Sequence, residues 1–290
     1  MEQVNSKFYT LITGASMGFG KVLAGECAGR DMNLILVALP GESLHELAST
    51  IKNKYSVDVV AIEKDLCRDL SCQDLFHEVN ESGLQINMLI NNAGVGGTQF
   101  FHDGSITRYE EQIRLNVLAT TIITHLFIGM LKQNAPSYIL NVGSLASFFS
   151  LQKKQVYGAT KSFILYFSKS LRRELQGENV FVTAVCPGGM FTNDTVTKTI
   201  NSGSLLSRAS SMKPEDVAPI AINGLMKKKE VIIPGRINRT IVFLDGILPR
   251  FIVRFFEERT MKRLRAPSSK QEMSKKRNQT NVFEVAPVKS

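Results

Sequence analysis

The chain has 290 residues, enough for one or two domains, and its four cysteines form no C-x-x-C pair. This pattern favours buried or reduced thiols in a cytoplasmic protein, and the polar residues 1–7 predict no signal peptide. The net charge of +9 is uneven, because residues 227–290 carry 16 Lys+Arg and only 6 Asp+Glu. We therefore expect a nearly neutral body with a basic C-terminal end.

Three glycines stand where the first predicted strand, residues 8–13, meets a helix expected over residues 21–30. They are Gly14, Gly18 and Gly20. Glycines at such a junction let backbone N–H groups approach a phosphate at the positive end of the helix. A P-loop does not fit, because five residues separate the first glycine from the last and Val22 stands where a magnesium-binding hydroxyl is needed. Any one glycine could serve only a tight turn, but three together favour a dinucleotide-binding turn.

The second predicted strand, residues 33–39, ends where a dinucleotide-binding fold contacts the adenosine ribose. An acid there binds the 2′-hydroxyl of NAD, whereas a nearby arginine binds the 2′-phosphate of NADP. The sequence has Leu39 and Pro40 at this place, so neither reader is present. Arg30 and Ser43 are the candidate substitutes.

Strands and helices alternate along the rest of the chain. Strands are predicted at residues 57–62, 86–90, 138–142, 180–185 and 231–233, and helices at 70–80, 106–133, 155–176 and 214–226. This alternation predicts an α/β fold, a doubly wound parallel sheet of Rossmann type, as a single catalytic domain over residues 1–235. Residues 189–212 are rich in Ser, Thr, Asn and Gly and predict a loop that covers the substrate.

Tyr157 and Lys161 lie four residues apart on the predicted helix 155–176 and therefore share one face. A phenol has a pKa of about 10, and a neighbouring ammonium favours the phenolate. Such a pair alone is usually two surface residues. Ser144 changes this interpretation, because it places a hydroxyl at the end of the strand that precedes the helix. The three side chains together predict proton transfer.

With these residues in place, the chain resembles the short-chain dehydrogenase/reductase family over about residues 7–234. In arrangement it is similar to the branch with hydroxysteroid dehydrogenases and 3-oxoacyl reductases. The resemblance rests on motifs in the family's order: Thr13-Gly-x-x-x-Gly-x-Gly20, Asp65, Asn91-Asn-Ala-Gly94, Asn116, Ser144, Tyr157-x-x-x-Lys161 and Pro187-Gly-x-x-x-Thr192. The pattern of residues alone would place Asn116 at a solvated helix position.

The resemblance implies a role for each matching position. Catalysis would fall to Tyr157 as proton donor or acceptor, to Ser144 as the partner of the substrate oxygen, to Lys161 at the nicotinamide ribose and to Asn116 in a proton relay. Cofactor contacts are implied for Gly14, Ser16, Gly18, Gly20, Asp65, Leu66, Asn92, Gly94, Tyr157, Lys161, Pro187, Gly188 and Thr192. The implied reaction is hydride transfer between a nicotinamide cofactor and a small-molecule carbonyl or alcohol, with no metal. NADP(H) is favoured over NAD(H), because no carboxylate at Leu39 repels the extra phosphate. The alternative function is a cofactor-binding regulatory or scaffold protein without turnover.

The basic end contains apolar runs broken by charges between residues 237 and 256. We expect an amphipathic segment over residues 236–265, which either contacts a membrane surface or packs on the fold or a dimer partner. Residues 266–290 are polar and predicted to be disordered. Nucleic acid is not an expected partner, because no aromatic residues interleave with the basic ones. The family resemblance implies a homodimer. The free thiols predict a cytoplasmic location, and the segment 236–265 would make the protein peripheral on a membrane if it binds lipid.

Overall fold

Strands and helices alternate in the computed structural model, which describes residues 8–41, 43–192, 197, 198, 200 and 208–247. The strands are β1 (Tyr9–Thr13), β2 (Asn33–Ala38), β3 (Val59–Glu63), β4 (Ile86–Asn91), β5 (Ser137–Val142), β6 (Val180–Val185) and β7 (Val231–Ile232). The helices are α1 (Gly18–Ala28), α2 (Leu44–Tyr55), α3 (Ser71–Glu81), α4 (Ile106–Ile113), α5 (Thr120–Gln133), α6 (Gln155–Glu174), α7 (Pro214–Met226) and α8 (Arg236–Ile247).

All seven strands are parallel and lie in the order β3-β2-β1-β4-β5-β6-β7. The chain winds outward from β1 in one direction and then, from β4, in the other. The strand order therefore reverses between β1 and β4, whose carboxyl ends open a crevice where such sheets bind ligands. The predicted doubly wound α/β fold is confirmed.

Both faces of the sheet are buried, because alternate residues of each central strand enter different core clusters. In β2, Leu34 and Leu36 pack with α1, α2 and α7, whereas Ile35 and Val37 pack with α3 and α5. Each fully buried side chain of this size stabilises the fold by roughly 1.5–3 kcal/mol. Continuous apolar strands are the pattern expected of a parallel sheet covered on both faces.

The helical stretch predicted over residues 106–133 is present but is not one regular helix. A π-helical segment, Arg114–Ala119, separates α4 from α5. Among the described residues this 28-residue stretch is the one helix that is long and apolar enough to cross a membrane. Within it, Ile123, Phe127 and Leu131 belong to the core cluster under the sheet, as is usual for a core helix of an α/β domain.

Several boundaries and one helix differ from the sequence-based expectations. Helix α2 was not foreseen, although Leu44, Ala48 and Ile51 recur at helical spacing and are buried. Of the predicted segment 236–265, residues 236–247 form α8, and the rest lies outside the described residues, as does the tail 266–290. Of the predicted loop 189–212, residues 193–196, 199 and 201–207 also lie outside them. The described residues up to 241 belong to one compact unit, and residues 242–247 belong to a second.

Candidate active site

The glycine-rich turn after β1 is required by its backbone geometry. Gly14 has a φ of 64°, in the left-handed region, and a Cβ added to Gly20 would lie 2.0 Å from the carbonyl oxygen of Gly14. The first turn of α1 begins at Gly18, and Met17 before it makes no side-chain capping hydrogen bond. The N–H groups at a helix N-terminus, next to a glycine-rich turn whose backbone is accessible, form a site that fits a pyrophosphate. The residues present therefore fit a dinucleotide cofactor.

Asn92 holds this turn from the neighbouring strand. Its Nδ2 donates to the carbonyl oxygens of Thr13 and Gly14, each at 2.9 Å. In return, the Thr13 hydroxyl oxygen accepts from the backbone N–H groups of Asn92 and Ala93, each at 3.1 Å. The structure thus places Asn92 at the switch point between β1 and β4, where it fixes the shape of the turn.

A cavity of about 480 Å³ lies at the ends of β2 and β3, where a dinucleotide fold would hold the adenosine ribose. Asp65 lines it and accepts hydrogen bonds from the Cys67 N–H, at 3.0 Å, and from Arg68. The Leu66 side chain is instead packed in the core and does not line the cavity. The cavity lining consists of Leu39, Pro40, Glu63, Lys64, Asp65, Arg68 and Ser71.

Arg30 does not reach this cavity, so the prediction that it could contact the ribose is wrong. Its guanidinium binds the Glu26 carboxylate and the Asn223 side chain, the latter at 2.9 Å. The structure instead brings Glu63 to the cavity, where its carboxylate accepts from the Gly41 N–H at 3.2 Å. No sequence pattern pointed to this residue, because pairing of β3 with β2 brings it to Gly41.

Asn116 is buried, so the solvated position that its pattern suggested is wrong. It lies in the π-helical segment, and only 1% of it is exposed. Its Oδ1 accepts from the Val95 N–H at 2.8 Å, and its Nδ2 donates to the Val95 carbonyl and to the Thr160 hydroxyl, each at 3.0 Å. The amide therefore ties the loop after β4 to α6. A Cβ on Gly94 would lie 3.0 Å from the Asn116 Oδ1 and 3.3 Å from the Lys161 Nζ, so this bare backbone packs against both.

Ser144 and Tyr157 are joined by a hydrogen bond between their side chains. Ser144 caps a short 3₁₀ helix, Leu145–Ser147, and its hydroxyl oxygen accepts from the Ala146 N–H at 3.1 Å. Tyr157 is half-buried in the first turn of α6. Burial raises the pKa of Tyr157, and the Ser144 hydrogen bond opposes that rise. The sequence predicted that Lys161 would lower this pKa, but the opposing contribution comes from Ser144.

Lys161 follows Tyr157 by one turn of α6, and only 6% of its surface is exposed. Its Nζ donates to the carbonyl oxygen of Val142, at the end of β5, at 2.7 Å. Burial lowers the pKa of Lys161 to about 8. The ammonium is thus held at the carboxyl end of the sheet and close to Gly94, where the family resemblance places the nicotinamide ribose.

This burial predicts that Lys161→Met stabilises the folded protein at neutral pH. An unfolded lysine has a pKa of about 10.4, so between pH 8 and that value the folded state binds fewer protons and stability rises with pH. Below pH 8 the fold carries the full cost of a buried ammonium, about 3 kcal/mol. Losing the hydrogen bond to Val142 costs about 1 kcal/mol, which leaves a net gain of about 2 kcal/mol at pH 7.

Urea unfolding at pH 7 and pH 10 measures this effect, and the advantage of the variant should shrink at the higher pH. Lys169→Met, at a partly exposed position of the same helix, is the control and should show no such dependence. A Lys161→Met protein less stable than the wild type at pH 7 would contradict the expectation.

The loop after β6 brings Thr192 to the glycine-rich turn. A Cβ added to Gly18 would lie 3.5 Å from the Cβ of Thr192. The Pro187 carbonyl accepts from the Leu145 N–H at 2.7 Å, which ties this loop to the Ser144 turn. A Cβ on Gly188 would lie 2.4 Å from the Ser210 carbonyl oxygen, so the chain passes close to it there. The structure therefore gathers these three predicted positions at one end of the sheet.

Sequence reasoning missed the buried side chains that support the Ser144 turn. Cys186 is fully buried, and its sulfur accepts a hydrogen bond from the Ser144 N–H and lies beside the Ser147 hydroxyl. The Ser147 hydroxyl also bonds the Lys161 carbonyl oxygen at 2.8 Å. Burial raises the pKa of Cys186 to about 12, so the thiol stays protonated at neutral pH. All four cysteines are free thiols, as expected, although Cys67 is only partly buried.

Comparisons with known proteins agree with this geometry. The model of the short chain dehydrogenase family matches residues 9–202. The chain is 27% identical over 243 residues to 3-oxoacyl-(acyl-carrier-protein) reductase FabG of Aquifex aeolicus, covering 84% of this chain and 92% of that protein. It is 30% identical over 239 residues to the NADP-dependent 3-hydroxy acid dehydrogenase of Schizosaccharomyces pombe, covering 80% and 91%.

The fold is also that of a solved short-chain dehydrogenase from Sphingobium yanoikuyae in complex with NADPH. The TM-score is 0.72 at 24% identity, and the match covers 98% of each chain. The family model matches well over half of the chain. The glycine turn, Ser144, Tyr157 and Lys161 also lie at the same end of the sheet. The chain therefore belongs to the short-chain dehydrogenase/reductase family, which consists of NAD(P)-dependent oxidoreductases that act on CH–OH and C=O groups.

Proposed function

We propose that the chain interconverts a carbonyl compound and its alcohol, with Tyr157 as proton donor or acceptor. The observation that carries this proposal is the hydrogen bond between Ser144 and Tyr157, one helical turn before the buried Lys161. Two hydroxyl groups that share a hydrogen bond can both contact one substrate oxygen. Tyr157 then gives its proton to that oxygen in reduction, and Ser144 holds the oxygen in place.

The nicotinamide cofactor supplies or accepts the hydride. Its pyrophosphate would be held by the backbone of Gly14, Ser16, Gly18 and Gly20, its adenosine end by the cavity at Asp65, and its nicotinamide end by Lys161 and Thr192. Lys161 has donors left beyond its bond to the Val142 carbonyl, because an ammonium carries three N–H groups. Positioning the reacting groups and excluding water are thus the contributions of this chain.

A hydrophobic substrate, acyl or steroid-like, is part of the same proposal. Phe148 and Phe149 follow the short helix after Ser144, with ring centroids 6.4 Å apart, and Leu151 beyond them is 40% exposed. The name of the Aquifex aeolicus relative also refers to an oxoacyl substrate. A screen of NADPH oxidation against sugars, steroids and 3-oxoacyl compounds tests the proposal. A clear preference for sugars would overturn the hydrophobic substrate.

A scaffold protein without turnover is the rival function. The intact Ser144, Tyr157 and Lys161 cluster speaks against it, because a scaffold needs no proton donor at the nicotinamide end. Turnover of any carbonyl class in the same screen would rule out the scaffold.

We also propose that NADP(H) is preferred over NAD(H). Leu39 and Pro40 line the adenosine cavity without a carboxylate of their own, and the Glu63 carboxylate is engaged by the Gly41 N–H. Fluorescence titration should show tighter binding of NADPH than of NADH. Leu39→Arg should widen the difference by roughly tenfold, because guanidinium pairs bidentately with phosphate. Equal or tighter binding of NADH to the wild type would refute this preference.

A homodimer through α6 and the π-helical segment is proposed from the apolar surface there. A groove of about 450 Å³ lies between the two elements and is lined by Ile113, Val117, Gln155, Val156, Ala159 and Thr160. Leu118, Phe163 and Tyr166 are exposed on the same helices. Light scattering should give about twice the 32.2 kDa of one chain, and a monomer would exclude the dimer.

Contact of residues 236–265 with a membrane surface is the remaining proposal. The described part is helical, and Phe243, Leu244 and Ile247 are exposed on it. Exposed apolar groups next to a basic stretch favour binding to anionic lipid. The full chain should sediment with anionic vesicles at low salt, and a chain that stays in the supernatant would contradict this.

A further inference from the structure

Two neighbouring lysines, Lys153 and Lys154, precede the helix of Tyr157, and neither has a carboxylate partner among the described residues. Lys154 directly precedes α6, and its Nζ lies 5.6 Å from the centroid of the Tyr157 ring. The Nζ of Lys153 lies 4.3 Å from the centroid of the Phe100 ring. Both lysines are half-buried. They stand in the chain between Ser144 and Tyr157, the two residues whose hydroxyls would hold the substrate oxygen.

The loop that carries these lysines is fixed to the loop after β4. The Gln99 N–H donates to the Lys153 carbonyl oxygen at 2.8 Å. The Lys154 carbonyl oxygen accepts from the Gly158 N–H at 2.7 Å, in the first turn of α6. These bonds set the backbone on either side of the two ammonium groups. The lysines therefore have defined positions relative to Tyr157.

Neither ammonium is neutralised within the part of the chain that the structure describes. There, no carboxylate lies within 4.0 Å of Lys153 or Lys154, and the acids of the neighbouring elements, Asp103 and Glu111, pair with His102 and Arg108. Burial lowers the pKa of Lys154, as expected for an ammonium that has lost water without gaining a counterion. An anion bound by these ammonium groups would replace the hydration that burial removes.

Apolar side chains flank the lysines, so the surface suits an amphipathic anion. Leu151 is 40% exposed, and its carbonyl oxygen accepts from the Lys154 N–H at 3.3 Å. Phe100, under the Lys153 ammonium, and Phe149 are half-buried. An alkyl chain would lie on these side chains while its charged group meets the lysines.

We propose that Lys154, assisted by Lys153, binds the carboxylate of the substrate, which is then an oxo acid or hydroxy acid with its carbonyl or hydroxyl group a few bonds from the carboxylate. This rests on the proposed function, because the reacting oxygen must lie at Ser144 and Tyr157. Lys154 is thus a specificity-determining residue. A thioester of the same acid lacks the charge at this place and would bind less well.

The test compares two C8 oxo acids, 2-oxooctanoate and 3-oxooctanoate, with their methyl esters as NADPH-dependent substrates. In the wild type, kcat/KM should be at least about tenfold higher for one of the acids than for its ester, since hydrogen bonds to charged groups contribute this much. Lys154→Met should bring that ratio of acid to ester close to one, and Lys154→Arg should keep most of it. Lys132→Met, at an exposed lysine paired with Glu178, is the control and should leave both rates unchanged. The ratio is the readout because a general defect would lower both rates together.

A binding measurement separates this inference from the proposed function. The chain has no tryptophan, so calorimetry is used, with octanoate and octanamide titrated into the full-length protein saturated with NADP⁺. Octanoate should bind at least about tenfold more tightly than the amide, and Lys154→Met should remove the difference. Equal acid and ester rates in the wild type, or an unchanged ratio in Lys154→Met, overturn the anion site but not the carbonyl chemistry. If none of the four compounds is reduced, these C8 oxo acids are overturned as substrates, the screen of other carbonyl classes decides the proposed function, and the calorimetric difference decides the anion site.

Discussion

Replacing Tyr157 with phenylalanine should lower kcat by about 10²- to 10⁴-fold, the usual contribution of a positioned proton donor. The change removes one hydroxyl and keeps the ring that packs in the first turn of α6. NADPH affinity should stay nearly unchanged, because the proposed phosphate and adenosine contacts come from the glycine turn and the Asp65 cavity. Stopped-flow kinetics and fluorescence titration measure the two effects separately.

Tyr166→Phe is the matched control for this variant. Tyr166 lies on the same helix and is 67% exposed, so losing its hydroxyl should change neither kcat nor binding. A Tyr157→Phe enzyme that reduces carbonyls as fast as the wild type would show that another group delivers the proton.

The parts of the site that depend on local backbone geometry could be predicted from the sequence. The glycine turn and the Tyr157–Lys161 pair depend only on residues close together in the chain. The structure places these motifs at the carboxyl ends of β1 and β5, as the alternation of strands and helices predicts. The fold could be predicted for the same reason, because parallel strands buried on both faces read as continuous apolar runs.

The parts that depend on contacts between distant segments could not be predicted. Asn116 has the pattern of a solvated helix position, yet its amide links Val95 to Thr160 across the site. The pKa of Tyr157 depends on burial and on Ser144, which only the packing of the loop after β5 against α6 decides. Glu63 reaches Gly41 through strand pairing, and Arg30 is held by Asn223, 193 residues away in the chain.

Substituting Gly20 with alanine is expected to damage both stability and cofactor binding. A Cβ at this position would lie 2.0 Å from the Gly14 carbonyl oxygen and 2.5 Å from the Asn92 Nδ2. Backbone cannot yield as a flexible side chain does, so the turn must open, at a cost of about 3 kcal/mol or more. Opening the turn also breaks the bonds from Asn92 to Thr13 and Gly14 that shape the phosphate cradle. We therefore expect NADPH affinity to fall by at least about tenfold, in line with a loss of 1.4 kcal/mol or more.

Gly25→Ala in the same helix is the matched control, and its effect should have the opposite sign. A Cβ there meets no atom within 4 Å, and alanine is favoured over glycine within a helix by about 1 kcal/mol. Urea unfolding should therefore show Gly25→Ala to be slightly more stable than the wild type, with NADPH binding unchanged. Should Gly20→Ala instead unfold at the wild-type urea concentration and bind NADPH normally, the close approach of α1 to Gly14 would not be what shapes the cofactor site. Both substitutions add one methyl group to the same helix. If their effects on stability are opposite, the difference comes from the close approach of Gly20 to Gly14.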